Sequence, residues 1–287
     1  MREERGEVEV EGGTVRYRIL GEGDRTLVTL HGGPGAGSLY LKPLERLAGP
    51  GRRVVLYDQL GCGESDRPGD PSLWRADRFV DELEALRAHL GLTGFDLFGH
   101  SWGGMLATEY ALAHQQHLRS LVLASTIADA PLLIREMARL LEAFPQEIRD
   151  TLRRHEEAGT TGLDSKEYWD AVDAVYRVHL CRLDPWPAEM ATTTGAMDVY
   201  VPMWGPSEFC FTGNLSDWNR VERLHEIRVP TLVTVGEHDE LTPACSEQIH
   251  ERVAGSQLAV FPGCSHWTFW EEPDRYIGVV DGFLRSL

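Results

Sequence analysis

Phe95-Asp96-Leu97-Phe98-Gly99-His100-Ser101-Trp102-Gly103-Gly104 is the stretch on which the fold turns. A short apolar run enters a glycine, a serine stands two places on, and another glycine stands two places beyond it. From Ser101 to Ala113 the residues read as a helix. This is the G-x-S-x-G pattern set between a strand and a helix. The turn is so tight that only small residues fit two places either side of the serine. It holds the hydroxyl clear of the backbone, at the carboxyl edge of a sheet. The helix that starts there aims amides at any developing anion. Ser101 is the candidate nucleophile.

Strands and helices alternate on both sides of this motif. Val8 to Glu11 and Thr14 to Ile19 alternate apolar and polar residues about Gly12-Gly13, which reads as an antiparallel hairpin. Thr26 to Leu30, Arg53 to Tyr57, Leu118 to Ala124, Leu232 to Val235 and Gln257 to Phe261 read as strands. Helical spacing marks Arg78 to Leu90, with Phe79, Leu83, Leu86 and Leu90 on one side, and a closing helix from Tyr276 to Leu284. The alternation predicts an α/β protein, a mostly parallel central sheet with helices on both faces. The rhythm changes after Ser125. Pro131 to Arg154 and Lys166 to Leu180 are helical, and prolines at 185, 187, 202 and 206 punctuate an aromatic-rich stretch. Residues 1–125 and 221–287 are therefore expected to form the core, and residues 126–220 an inserted helical cap.

A serine hydroxyl is a weak nucleophile at neutral pH and needs a base. The partners should follow in the order serine, acid, histidine. Asp239 comes just after the strand ending at Val235, and His266 just after the strand ending at Phe261. Both fall on the carboxyl edge with Ser101. His266 would take the Ser101 proton and return it to the leaving group, while Asp239 would fix the imidazole tautomer. His31, His100 and His238 lie beside glycine turns, where bracing the backbone is the expected role. Asp96 precedes the serine within a strand and is a poor acid. For the oxyanion, Trp102 should give one amide. The loop His31-Gly32-Gly33-Pro34-Gly35 should give the other, from Gly33. No Gly-Lys-Ser/Thr follows, so this is not a phosphate loop.

The bulk numbers bound the partners. The 287 residues carry 28 Lys plus Arg against 45 Asp plus Glu, a formal charge of −17. Such a surface repels phosphate backbones and anionic lipids, which argues against nucleic acid and membrane partners. The 5 cysteines form no CxxC pair and are expected as free thiols. No signal-like leader is visible, and a soluble cytoplasmic protein is expected. The chemistry requires neither metal nor cofactor.

Taken together, these motifs resemble the proline iminopeptidase branch of the α/β-hydrolase fold, with its tricorn-interacting aminopeptidase and L-amino acid amidase relatives. The resemblance runs through His31 to Gly35, Asp58-Gln59-Leu60-Gly61-Cys62-Gly63-Glu64-Ser65, Gly99 to Gly104, Gly236 to Pro243, Cys264 to His266 and Trp204-Gly205-Pro206-Ser207-Glu208-Phe209. It implies release of N-terminal residues from short peptides or amino-acid amides. It also implies that Glu208 and Glu240 bind the substrate amine, a carboxylate being the natural partner of an ammonium. Glu240 is expected at the pocket rim. The cap aromatics Trp186, Tyr200, Trp204 and Phe209 are candidates for lining an apolar site. A carboxylesterase or lactonase on the same frame needs no ammonium site. A dehalogenase or epoxide hydrolase would put aspartate where Ser101 stands. A non-catalytic hydrolase-like binding protein could keep the whole triad. Oligomeric state is left open.

Overall fold

A computed structural model describes residues 2–192 and 196–287. Its frame is one eight-stranded sheet, in the order β1-β2-β4-β3-β5-β6-β7-β8. β1 (Glu3–Val10) and β2 (Gly13–Leu20) are the expected hairpin, and β2 also pairs antiparallel with β4 (Arg52–Asp58). β3 (Arg25–Leu30), β5 (Phe95–His100), β6 (Leu118–Ala124), β7 (Thr231–Gly236) and β8 (Gln257–Phe261) join β4 in parallel. Their apolar runs have the physical cause such sheets require, because side chains are covered from both faces.

One face is covered by α1 (Ala76–His89) and α2 (Trp102–His114), which set Leu83, Leu86, Met105 and Leu106 against Leu97 and Leu123. The same cluster takes in Ile249 of α7 (Pro243–Arg252). The other face is covered by a 3₁₀ segment, Leu39–Leu47, and by α9 (Pro273–Arg285), through Leu44, Tyr276, Val280 and Phe283. Before α9 comes one turn, α8 (Thr268–Glu271).

Between β6 and β7 the chain forms α3 (Ala130–Leu141), α4 (Gln146–Ala158), α5 (Lys166–His179) and α6 (Met197–Met203). The sequence pattern from Pro131 to Arg154 predicts unbroken helix, and the structure divides it. Pro145 takes the N-cap position of α4, because a proline nitrogen cannot donate to the preceding turn. The irregular stretch is also more ordered than expected, holding a 3₁₀ turn at Ala188–Thr192 as well as α6. α4 and α5 share a small core of Leu152, Tyr168, Val172 and Val175. Leu133, Val199 and Trp204 instead join the main core.

Candidate active site

The serine turn has the form its glycines require. Ser101 lies between β5 and α2 with φ +57 and ψ −126, a left-handed conformation that a side chain rarely adopts. A Cβ on Gly99 would strike the Gly103 carbonyl, and one on Gly103 would strike the Leu30 carbonyl. The strained residue is held at both ends. Its N–H donates to Ala124 O at 3.0 Å, and its carbonyl accepts from Gly104 N and Thr126 Oγ1, each at 2.8 Å.

Asp239 and His266 follow β7 and β8 onto the same edge. His266 Nδ1–H donates to Asp239 Oδ1 at 2.8 Å, and the Leu241 amide donates to the same oxygen at 2.8 Å. Both side chains are buried, which strengthens the pair. Nδ1 carries the proton toward Asp239, so Nε2 is left with its lone pair. His266 and Ser101 line one cavity, although the Ser101 hydroxyl makes no hydrogen bond among the described residues. Such contacts often tighten only around substrate.

Of the competing histidines, the rings of His31 and His100 bond to the backbone as expected, whereas the His238 ring meets only Glu237, at 3.8 Å, among the described residues. His31 donates from Nδ1 to Gly32 O at 2.9 Å and accepts the Gln59 amide at Nε2, 3.0 Å away. His100 accepts from the Tyr40 hydroxyl at Nδ1 (2.8 Å) and donates from Nε2 to His266 O (3.1 Å). Burial pushes both imidazoles down, so they stay neutral. The Tyr40 hydroxyl in turn accepts the Gly32 amide at 2.6 Å. His238 is partly exposed, and Asp96 is buried far from the edge against Arg25 and Ser120. Gly33 (φ +108) lines the cavity, and its N–H has no hydrogen bond among the described residues. Trp102 supplies the first N–H of α2, a position with no carbonyl a turn earlier to receive it.

The two glutamates come together, though not as the sequence predicts. Glu208 lines the cavity. Its Oε1 accepts from the Tyr200 hydroxyl at 2.6 Å, and its Oε2 has no hydrogen-bond partner among the described residues. Glu240 is not at a rim. It is 0% exposed, and neither of its oxygens has a hydrogen-bond partner among the described residues. The turn closed by the Leu241 amide on Asp239 carries it inward, where Oε1 stands 3.9 Å from His266 Nε2. Burial pushes the Glu208 carboxyl up to about 7. Burial, with Glu208 and Asp239 beside it, drives Glu240 well above the usual carboxylate range. Buried acids placed so that one raises another's titration are a costly arrangement for the protein alone.

The cavity measures about 540 Å³. Tyr200 and Trp186 line it as expected, whereas Trp204 and Phe209 do not. Trp204 is buried and stacked on Phe211 with ring centroids 3.9 Å apart, and Phe209 packs on Tyr176. Sequence reasoning missed the wall formed by Trp169, Asp173, Tyr176 and Leu180. Their spacing of four, three and four residues on α5 was the available signal, one face of a helix. The end of that helix is stitched to both triad loops, since His179 O accepts the amides of Glu240 (3.3 Å) and His266 (3.1 Å).

Comparison with known proteins places these features in context. The family model described as alpha/beta hydrolase fold matches residues 25–273. A proline iminopeptidase of Saccharolobus solfataricus is 42% identical over 275 residues, covering 94% of this chain and 88% of that one. The solved structure of a proline iminopeptidase from Mycobacterium smegmatis superposes with a TM-score of 0.90 at 34% identity, covering 99% of this chain and 98% of the other. The crystal structure of VinJ superposes with a TM-score of 0.94 at 38% identity, covering 99% of each chain.

Proposed function

The chain belongs to the α/β-hydrolase fold family and, within it, to the proline iminopeptidases, and on that premise we propose a serine aminopeptidase acting through an acyl-enzyme on Ser101. It releases N-terminal proline, or another small apolar residue, from short peptides or amino-acid amides. The observation that carries this reading is the pair Glu208 and Glu240, buried carboxylates with oxygens that find no hydrogen-bond partner among the described residues, Glu208 lining the cavity of Ser101 and Glu240 standing 3.9 Å from His266 Nε2. A substrate ammonium would satisfy them.

The mechanism follows from the placement of the groups. The substrate amine sits against Glu208 and Glu240, which sets the first carbonyl over Ser101. His266 Nε2 takes the hydroxyl proton as Oγ bonds to the carbonyl carbon, and Asp239 stabilises the imidazolium. The carbonyl oxygen becomes an oxyanion received by the N–H groups of Gly33 and Trp102. Collapse breaks the C–N bond, and His266 returns its proton to the leaving amine. Water repeats the cycle on the acyl-enzyme, freeing the amino acid and Ser101. Residues 126–220 act as the cap that shapes the amine and side-chain pockets, although residues 193–195 lie outside the described structure. Among the described residues no helix is long and apolar enough to cross a membrane, and all five cysteines are free thiols. The thiols favour a reducing compartment, the cytoplasm.

A panel of amino-acid p-nitroanilides and simple amides tests the reading. Turnover of prolyl or alanyl substrates, abolished by Ser101→Ala, is expected. Turnover confined to plain esters or lactones would overturn it.

A further inference from the structure

We propose that Gln59 is a positioning residue of the reaction, holding the two halves of the oxyanion site in register through its side-chain amide. The inference rests on Ser101 as the nucleophile with Gly33 and Trp102 as donors. Those donors belong to different elements. Gly33 lies in the loop after β3, and Trp102 opens the helix after β5. β3 and β5 are neighbours, but no backbone hydrogen bond ties the Gly33 amide to the start of α2. Oxyanion donors must stand about 2.7–3.1 Å from the position the developing charge will occupy, so their separation has to be held by contacts between side chains.

Gln59 supplies that tie. It follows β4, on the far side of β3, and is 1% exposed. Its Nε2 donates to His31 O at 3.0 Å, its Oε1 accepts from the Trp102 indole Nε1–H at 2.9 Å, and its backbone N–H donates to His31 Nε2 at 3.0 Å. The amide has one possible orientation, because an indole N–H only donates and a carbonyl only accepts. Both partners are fully buried, so water cannot replace either contact. One side chain therefore clamps the peptide leading into Gly32-Gly33 to the residue whose backbone amide follows the nucleophile. Tyr40 braces the same loop from the other direction, between the Gly32 amide and His100. Its bond ends on the His100 ring, two residues before Trp102, whereas Gln59 bonds Trp102 itself.

The experiment compares Gln59→Leu, Trp102→Phe and the double variant with wild type. Gln59→Leu keeps the approximate volume and loses both side-chain bonds. Trp102→Phe loses the indole N–H together with the volume of its second ring, and leaves the backbone amide in place. Two readouts are taken, steady-state hydrolysis of proline p-nitroanilide and the rate of Ser101 modification by a fluorophosphonate. In the second, Oγ bonds to phosphorus, fluoride leaves, and His266 takes the proton. The expected result is a loss of about tenfold or more in kcat and in modification rate for each single variant, as for weakening one oxyanion donor. KM should stay within about twofold, and the double variant should be no slower than the slower single one, since one interaction is lost in all three. Unchanged modification rates in folded Gln59→Leu would overturn the proposal. So would losses that multiply in the double variant, or a loss borne by KM alone. If Gln59→Leu does not fold, Trp102→Phe removes the same bond and decides the matter. If wild type modifies Ser101 but hydrolyses no aminoacyl anilide, the aminopeptidase reading fails, and the fluorophosphonate arm still tests Gln59.

Discussion

Binding of an amine to this site should release protons from the protein, and the amount can be worked from the structure. Glu208 titrates at about 7, so about half of it is protonated at pH 7. Glu240 is shifted in the same direction, well above its ordinary range. An ammonium group set against both carboxyls favours their charged forms and pulls both titrations down. Binding at pH 7 should then expel about half a proton from Glu208 and up to about one from Glu240. The ligand is L-prolinamide, protonated at this pH, and the protein is Ser101→Ala, which cannot turn it over. Calorimetric titration in buffers of different ionisation enthalpy gives the proton count as the slope of observed enthalpy against buffer enthalpy. A release of about 0.5–1.5 protons per site is expected, reduced in Glu208→Gln and further reduced in Glu208→Gln/Glu240→Gln. No release, proton uptake, or an unchanged slope in the double variant would refute the reasoning.

Other consequences follow from the same geometry. A carboxylate and an ammonium roughly 4 Å apart interact by about 4 kcal/mol at an effective dielectric near 20. If half of that is recovered by the amide in Glu240→Gln, about 2 kcal/mol remains, a loss of about thirtyfold in kcat/KM for proline p-nitroanilide. Fluorophosphonate labelling of Ser101 should persist in that variant. The raised Glu208 carboxyl means that the folded state binds its proton more tightly than the unfolded state. Its contribution to stability is full below about pH 4.5 and is lost as pH rises through about 7. Denaturant melts of Glu208→Gln between pH 5 and pH 8 should therefore fall less steeply than those of wild type, by roughly 1–3 kcal/mol. Glu82, also pushed up to about 7 by burial, keeps part of the slope in both. Gly103→Ala should cost about 3 kcal/mol, at the top of the usual range for overpacking, because the added Cβ meets the backbone carbonyls of Leu30 and His31. Thermal melting checks this, and a variant as stable as wild type would contradict the packing described at the turn.

The parts that were legible in the sequence are those fixed by local rules. Ser101, Asp239 and His266 were readable because a parallel strand ends where its apolar run ends, and each of the three follows such an end. The bracing of His31 and His100 was readable from their glycine neighbours. What escaped depended on contacts between distant segments. Nothing in the local sequence distinguishes Trp186, which faces the cavity, from Trp204, which stacks on Phe211. The position of Glu240 directly after the acid predicts a place at the rim. Its inward turn depends on the Leu241 amide bonding back to Asp239. Gln59 carries no signature of its own, and its role emerges only where β4, β3 and β5 lie side by side. The break at Pro145 was readable and was overridden by the amphipathic pattern around it.

The central claim is that Ser101 attacks a carbonyl held by a free amine, and blocking that amine tests it most directly. Proline p-nitroanilide and N-acetylproline p-nitroanilide present the same bond to Ser101, and the acetyl group removes the charge and the N–H donors offered to Glu208 and Glu240. A ratio of kcat/KM above about thirtyfold in favour of the free amine is predicted, the value of one lost ion pair worth about 2 kcal/mol. Equal rates for the two substrates would contradict it.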